Sequence, residues 1–461
     1  MVKPEIEFAP VAPSDPAGPN RDDGTRQVRK PRHFACFDGL RAIAAISVLV
    51  LHTAWSSGFT LRSSLGIYAS RLEIGVSIFF LISGFLLYRP FVASHLSGRA
   101  SPNTRRFWER RLLRIVPAYW LALTVLTYGF HSVSLGPGWQ GVVTHYLFLQ
   151  IYFPTQAVHG IPQAWSLCTE MTFYLFLPLY ATLVAARRAT QERQMAREVV
   201  GIVVLIAVSI GFRYWFLHIP LTTVKNGHLV PICAPNCYTN PPFSTLLVAW
   251  LPSYLDLFAL GMLLAVASAW FVQHDSEPTW LGHRLMPWAS WVGAALCFWA
   301  VSHVVANREI IYVLTPGINL ARQELYGVFA FLLLLPAVFG PQDRTLVRRL
   351  LRSWPVASIG VISYGIYLWH LNLIDESIKW MDWRPGAIPF WILTLFVLAV
   401  SVGFASASYF GLERPILRLK DRIGWWDPRS QSPKSDTTAQ PPAVEEGSDP
   451  KPMNHRGSLE S

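Results

Sequence analysis

The chain has 461 residues, of which 52% are hydrophobic and only 15% charged, and a formal net charge of +11. Soluble domains carry roughly 25% charged residues, so this composition argues against two or three ordinary soluble domains. A basic balance can signal nucleic acid, but the arginines sit at the ends of apolar runs and no basic stripe interleaves with aromatics in a soluble segment. No nucleic-acid partner is expected.

Residues 1–33 are rich in Pro, Asp, Arg and Gly and lack an apolar h-region, so they read as a disordered tail rather than a cleavable signal. From residue 34 to 420 the chain is dominated by runs such as Ala42–Leu51, Ile74–Leu87 and Leu393–Phe404 that contain almost no ionisable side chain. Crossing a hydrocarbon core of ~30 Å takes roughly 20 mostly apolar residues in a helix. The expected spans are 39–58, 74–93, 114–133, 166–186, 199–217, 247–271, 288–306, 323–340, 356–377 and 388–411. The expected fold is therefore all-α, a polytopic transmembrane bundle of about ten helices. The apolar stretch 141–153 is too short to cross and is expected to be re-entrant or interfacial. Residues 421–461 form a second polar tail, expected to be disordered and too short for a further domain. With the N-terminus inside, the short inner loops hold 15 Lys/Arg and the outer loops 7, a bias that puts both termini in the cytoplasm.

Two of the five cysteines, Cys233 and Cys237, lie in PICAPNC within the longest extended outer loop. An oxidising compartment favours a local disulfide there, with free thiols and a metal site as the competing readings. Zinc usually takes four ligands, and His228 supplies only one more. No metal site is expected.

Ionisable groups inside spans are costly and tend to face a cavity or a pathway. In FDGLRAIAAISVLVLHTAW, Arg41 and His52 are eleven residues apart, so they project about 20° from each other and ~16 Å apart along the axis. Asp38 lies beside Arg41 on that face. Glu170 (AWSLCTEMTFYLF), Asp256 (SYLDLFALGM) and His370 (SYGIYLWHLNL) are expected at the depth of His52, in the outer half. Arg89, the run RRFWERRLLR, Glu413 and Arg414 collect at the inner side. Bland readings exist for each: a snorkelling anchor for Arg41, topogenic charge for the basic run, a helix-packing hydrogen bond for Asp256. A cationic inner mouth with an acid–base cluster further out suits a donor whose anionic head stays inside while its reactive end enters the membrane.

The same residues resemble the integral-membrane acyltransferase-3 family, which includes bacterial O-acetyltransferases of surface polysaccharides and O-acyltransferases of macrolides. The resemblance covers roughly residues 34–420 through six ordered motifs. These are FDGLRAIAAISVLVLHT, with the family's Arg-x10-His spacing, then GVSIFFLISGFLL, RRLLRIVPAYW, WSLCTEMTFYLFLPL, SYGIYLWH and YFGLERPILRL. It implies transfer of an acyl group, commonly acetyl from acetyl-CoA, to a hydroxyl on a sugar or sugar-bearing molecule. Arg41 and His52 carry over as essential, Glu170 as the partner acid, and Arg110, Arg111 and Arg114 as candidates for the CoA side; Tyr364 and His370 fall in a further motif. The tail beyond residue 425 is too short for the SGNH-type esterase domain that some members append.

The expectation is thus an O-acyltransferase of the bacterial cell membrane. No cofactor is permanently bound; acetyl-CoA or another acyl-CoA is the donor substrate, and the acceptor contains a sugar or is lipid-linked. His52 would deprotonate the acceptor hydroxyl with help from Glu170. An acylated His52, or Cys168 as carrier, is the covalent variant. The rival reading is a transporter or flippase of an amphipathic solute, though no paired Gly/Pro-broken helices appear in the two halves. Acceptor identity, acyl chain length and oligomeric state are not written in the motifs.

Overall fold

Residue 34 and residues 36–186, 189–220, 222–225, 228–231, 241–305, 315–341, 345–384 and 388–423 are described by the computed structural model. The polar tails lie outside these residues except where 421–423 continue a helix, and so do Cys233 and Cys237.

The long helices are α1 (Cys36–Ser56), α2 (Ile74–Ser97), α3 (Thr104–Thr124), the short α4 (Gly138–Tyr146), α5 (Trp165–Val184), α6 (Gln191–Leu217), α7 (Leu255–His274), α8 (Met286–Val305), α9 (Pro316–Val338), α10 (Trp354–Val361), α11 (Ser363–Trp380), α12 (Phe390–Ser408) and α13 (Arg414–Ile423). Among the described residues nine helical segments are long and apolar enough to cross a membrane, or up to ten if the bent pair α10–α11 counts as one. The chain is a multi-pass membrane protein built almost wholly from helices, as its hydropathy requires. A small antiparallel hairpin, β1 (Thr222–Lys225) with β2 (His228–Pro231), follows α6. The stretch 141–153 forms α4 and a 3-10 turn at Gln150–Tyr152, neither of which is long enough to cross.

The bundle is layered. In the spans of α1 and α7, 61% and 67% of the apolar window is buried, against 28% for α6 and for α8, so α1 and α7 are central and α6 and α8 peripheral. Exposed Val200, Val203, Val204 and Val208 on α6 are the lipid-facing surface this demands. Helices α2 and α7 cross most closely, through glycine. A Cβ on Gly84 would lie 2.2 Å from the Phe258 carbonyl oxygen, and one on Gly261 would lie 2.1 Å from that of Leu81.

Prolines inside spans free the carbonyl four residues earlier, and neighbouring helices fill the vacancy. Pro178 frees the Tyr174 carbonyl, to which Trp108 of α3 donates at 2.9 Å. Pro336 frees that of Leu332, which accepts from Ser290 of α8 at 2.6 Å.

Two departures from the expected spans matter for function. The third begins at Thr104, ten residues earlier than hydropathy indicates, because the basic run is itself helical; the side chain of Asn103 caps it by accepting from the Arg106 N–H at 3.1 Å. The ninth is two helices meeting at 70°. Ser363 donates to the Gly360 carbonyl at 2.7 Å, placing a side chain in the backbone ladder at the break.

Candidate active site

A cavity of about 770 Å³, counting the space at its mouth, opens among α1, α2, α3, α5 and α11. Its polar lining is Arg41, Ser83, Arg111, Arg114, Ser166, Glu170, Ser363, Tyr364 and Tyr367; its apolar lining includes Val76, Phe79, Phe80 and Leu86. Three guanidiniums thus face one carboxylate in a space walled by hydrocarbon.

Each cation has a local reason for its aim. Arg111 and Arg114 are three apart on α3 and share a face, and the helical extension of the basic run carries that face to the cavity. Arg110 lies one residue round the helix, is exposed and does not line the cavity. Arg41 is held by Asp38 of its own first turn at 2.8 Å. Arg111 and Arg114 form no ion pair with a described carboxylate, and the Nε of Arg111 is buried without a hydrogen-bond acceptor. Buried guanidinium N–H groups ordinarily find acceptors, so the Nε of Arg111 is an exception within the cavity lining.

Glu170 accepts from the Ser83 hydroxyl and, at 2.7 Å, from the Tyr174 hydroxyl one turn along α5. Tyr364 lines the cavity and donates to the Ile115 carbonyl at 3.0 Å, tying α11 to α3. Ser83, Tyr174 and Tyr367 were not singled out from the sequence. Tyr174 was within reach of it, since Glu170 and Tyr174 stand at i,i+4 on a helix.

The expected convergence of His52, Glu170, Asp256 and His370 does not occur as one cluster. Among the described residues no hydrogen bond joins Glu170 to His52. The partner of His52 is His370, with Nε2 of His370 3.1 Å from Nδ1 of His52 and ring centroids 5.0 Å apart. Neither histidine lines the cavity, but Tyr367 connects the two regions. It lines the cavity, and its ring lies 5.8 Å from those of both Phe79 and His370. Asp256 belongs to a third group. It accepts from Ser209 at 3.0 Å and from Gln323 at 3.1 Å, near Arg213, whose guanidinium donates to the Ser253 carbonyl and to Asn319. A hydrogen-bonded set of this kind, in which only the Nε of Arg213 is left without an acceptor, joins α6, α7 and α9, which is the helix-packing reading of Asp256.

Cys168 is fully buried on α5 and does not line the cavity. Among the described residues no group of three or more His, Cys, Asp or Glu side chains could hold a metal.

Comparison with known proteins agrees with this architecture. The sequence model of the acyltransferase domain family matches residues 34–410. Acyltransferase MdmB of Streptomyces mycarofaciens is 26% identical over 402 residues, covering 83% of this chain and 92% of that protein. O-acetyltransferase OatA of Staphylococcus aureus is 23% identical over 413 residues, covering 84% of this chain but only 57% of its own length. No solved structure is significantly similar.

Proposed function

As a member of the acyltransferase-3 family the chain is a multi-pass membrane enzyme of O-acyl transfer, and we propose that its donor is an acyl-CoA and its acceptor a hydroxyl of a carbohydrate, glycolipid or glycosylated metabolite. The observation that carries this reading is the pair Arg111 and Arg114 with Arg41, three cavity cations against the single cavity carboxylate Glu170, within apolar walls. Guanidiniums grip phosphate oxygens through several fixed donors. The aliphatic walls suit the neutral arm that follows the phosphates in such a thioester. The first helix leads from Arg41 towards His52 over ~16 Å.

In the reaction, His52 takes the proton of the acceptor hydroxyl on its free Nε2. The oxygen forms a bond to the thioester carbonyl carbon, the C–S bond breaks, and the departing thiolate recovers the proton from the imidazolium. In this reading Glu170, which accepts from Ser83 and Tyr174, orders the arginine-lined cavity, and the role of partner acid to His52 is not assigned to it. The excess of Lys/Arg in one set of loops supports a cell-membrane orientation with the Arg41 end and both termini cytoplasmic. No observation favours transport.

Purified protein in lipid nanodiscs, given acetyl-CoA labelled in the acetyl group and a panel of glycosides, is expected to move label to an acceptor and release free CoA. Release of no thiol with any acceptor, alongside binding of a different anionic lipid or nucleotide, would overturn the donor assignment.

A further inference from the structure

We infer that His370 is a positioning residue that holds His52 as a base, in the role a carboxylate fills beside the histidine of a hydrolytic triad. This rests on the assignment of His52 above and deepens it.

The inference follows from what each ring nitrogen touches. Nδ1 of His52 is 2.8 Å from the Val48 carbonyl oxygen, and Nδ1 of His370 is 2.7 Å from that of Tyr367. A carbonyl only accepts, so each Nδ1 carries the proton, and each neutral ring has its lone pair on Nε2. The lone pair of His370 Nε2 lies 3.1 Å from His52 Nδ1 and shares its proton with Val48. Nε2 of His52 makes no contact of this kind and is the free base.

The two rings are not interchangeable. His370 is fully buried and its one free nitrogen is engaged, whereas His52 is partly exposed and its free nitrogen is not. When His52 takes a proton, the new charge strengthens the bond from its Nδ1 to His370, and a charge-assisted hydrogen bond is roughly twice as strong as a neutral one. The Val48 carbonyl also receives the backbone N–H one turn on, so the Nδ1 proton of His52 is shared between that carbonyl and His370, the one side-chain acceptor it meets among the described residues. Among the described residues no carboxylate hydrogen-bonds either ring; Glu73 acts on His52 only through space, so His370 is the side chain that bonds its Nδ1.

The fold fixes His370 firmly. The preceding turn is anchored to α5 by Tyr367, whose hydroxyl bonds Ser166 at 2.7 Å and donates to the Gln163 carbonyl at 3.2 Å. Gln163 in turn donates to the Leu368 carbonyl at 2.7 Å.

The test combines ring-nitrogen spectroscopy with kinetics on the full chain in nanodiscs. In wild type labelled with 15N-histidine, the His52 signals, assigned by their loss in His52→Ala, are expected to show a protonated Nδ1 and a bare Nε2. His370→Met, which fills similar space but offers no comparable acceptor, is expected to lower kcat about 10- to 100-fold, part of the ~10²–10⁴-fold attributable to a general base. KM should stay within about twofold. His370→Gln, which restores an acceptor near the Nε2 position, should recover most of kcat. Wild-type kcat in His370→Met, or a proton on Nε2 of His52 in wild type, overturns the inference; the second measurement needs no variant to fold. Full activity of His52→Ala would instead reject the base assignment and leave the tautomer result standing.

Discussion

Glu170 and Tyr174 stand one turn apart on α5 and are joined by a 2.7 Å hydrogen bond from the phenol to the carboxylate, which also accepts from Ser83 of α2. The carboxylate therefore fastens two helices at the floor of an arginine-lined cavity. Glu170→Gln keeps an acceptor for both hydroxyls and is expected to fold with a Tm close to wild type. Glu170→Ala strands both and should cost about 1–3 kcal/mol. Thermal unfolding of the two variants in one detergent checks the difference, and equal Tm values would show that the bonds carry no stability.

The arginines of α3 provide a sharper contrast. Arg111 reaches the cavity while its neighbour Arg110 is exposed outside it. Charged hydrogen bonds contribute about 1.5–3 kcal/mol each. Arg111→Ala is therefore expected to raise KM for acyl-CoA roughly 10- to 100-fold, with Arg110→Ala below about twofold. Initial rates against donor concentration measure both. A larger effect at Arg110 would mean that the donor binds on the outer surface of α3.

Close crossing of α2 and α7 holds the cavity wall in place. Gly84→Ala would put a methyl group 2.2 Å from the Phe258 carbonyl oxygen, an overlap that forces the helices apart. Overpacking of this kind costs typically about 1–3 kcal/mol. The expected outcome is a lower Tm, with activity falling in proportion to the folded fraction; an unchanged Tm would mean that the crossing is looser than the geometry indicates.

The bundle was legible in the sequence because membrane spans announce themselves by composition alone. Their ends were not. Hydropathy marks only the apolar part of α3, so its basic start read as a loop, yet that start aims Arg111 and Arg114 into the cavity. The bend between α10 and α11 was hidden because a serine hydroxyl makes it, and serine is common in straight helices. Arg41, Glu170, His52 and His370 were each legible as ionisable groups inside spans, but Arg41 and Glu170 were expected at opposite depths and instead line one cavity. Counting residues along single helices put Glu170 level with His52, whereas it lines the cavity beside Arg41. Rotation between helices was not readable either, so Glu170 was expected beside His52, where the structure has His370. Asp256 shows the same limit: its burial could be inferred, but its partners Ser209 and Gln323 lie on helices distant in sequence.

The most direct measurement is single-turnover acyl transfer by His52→Ala set beside its affinity for acyl-CoA, both in nanodiscs. The predicted result is a donor Kd within about twofold of wild type with transfer slowed at least ~100-fold, the lower bound for removing a general base. Transfer at the wild-type rate would contradict the role of His52, and loss of donor binding together with transfer would place it in recognition instead.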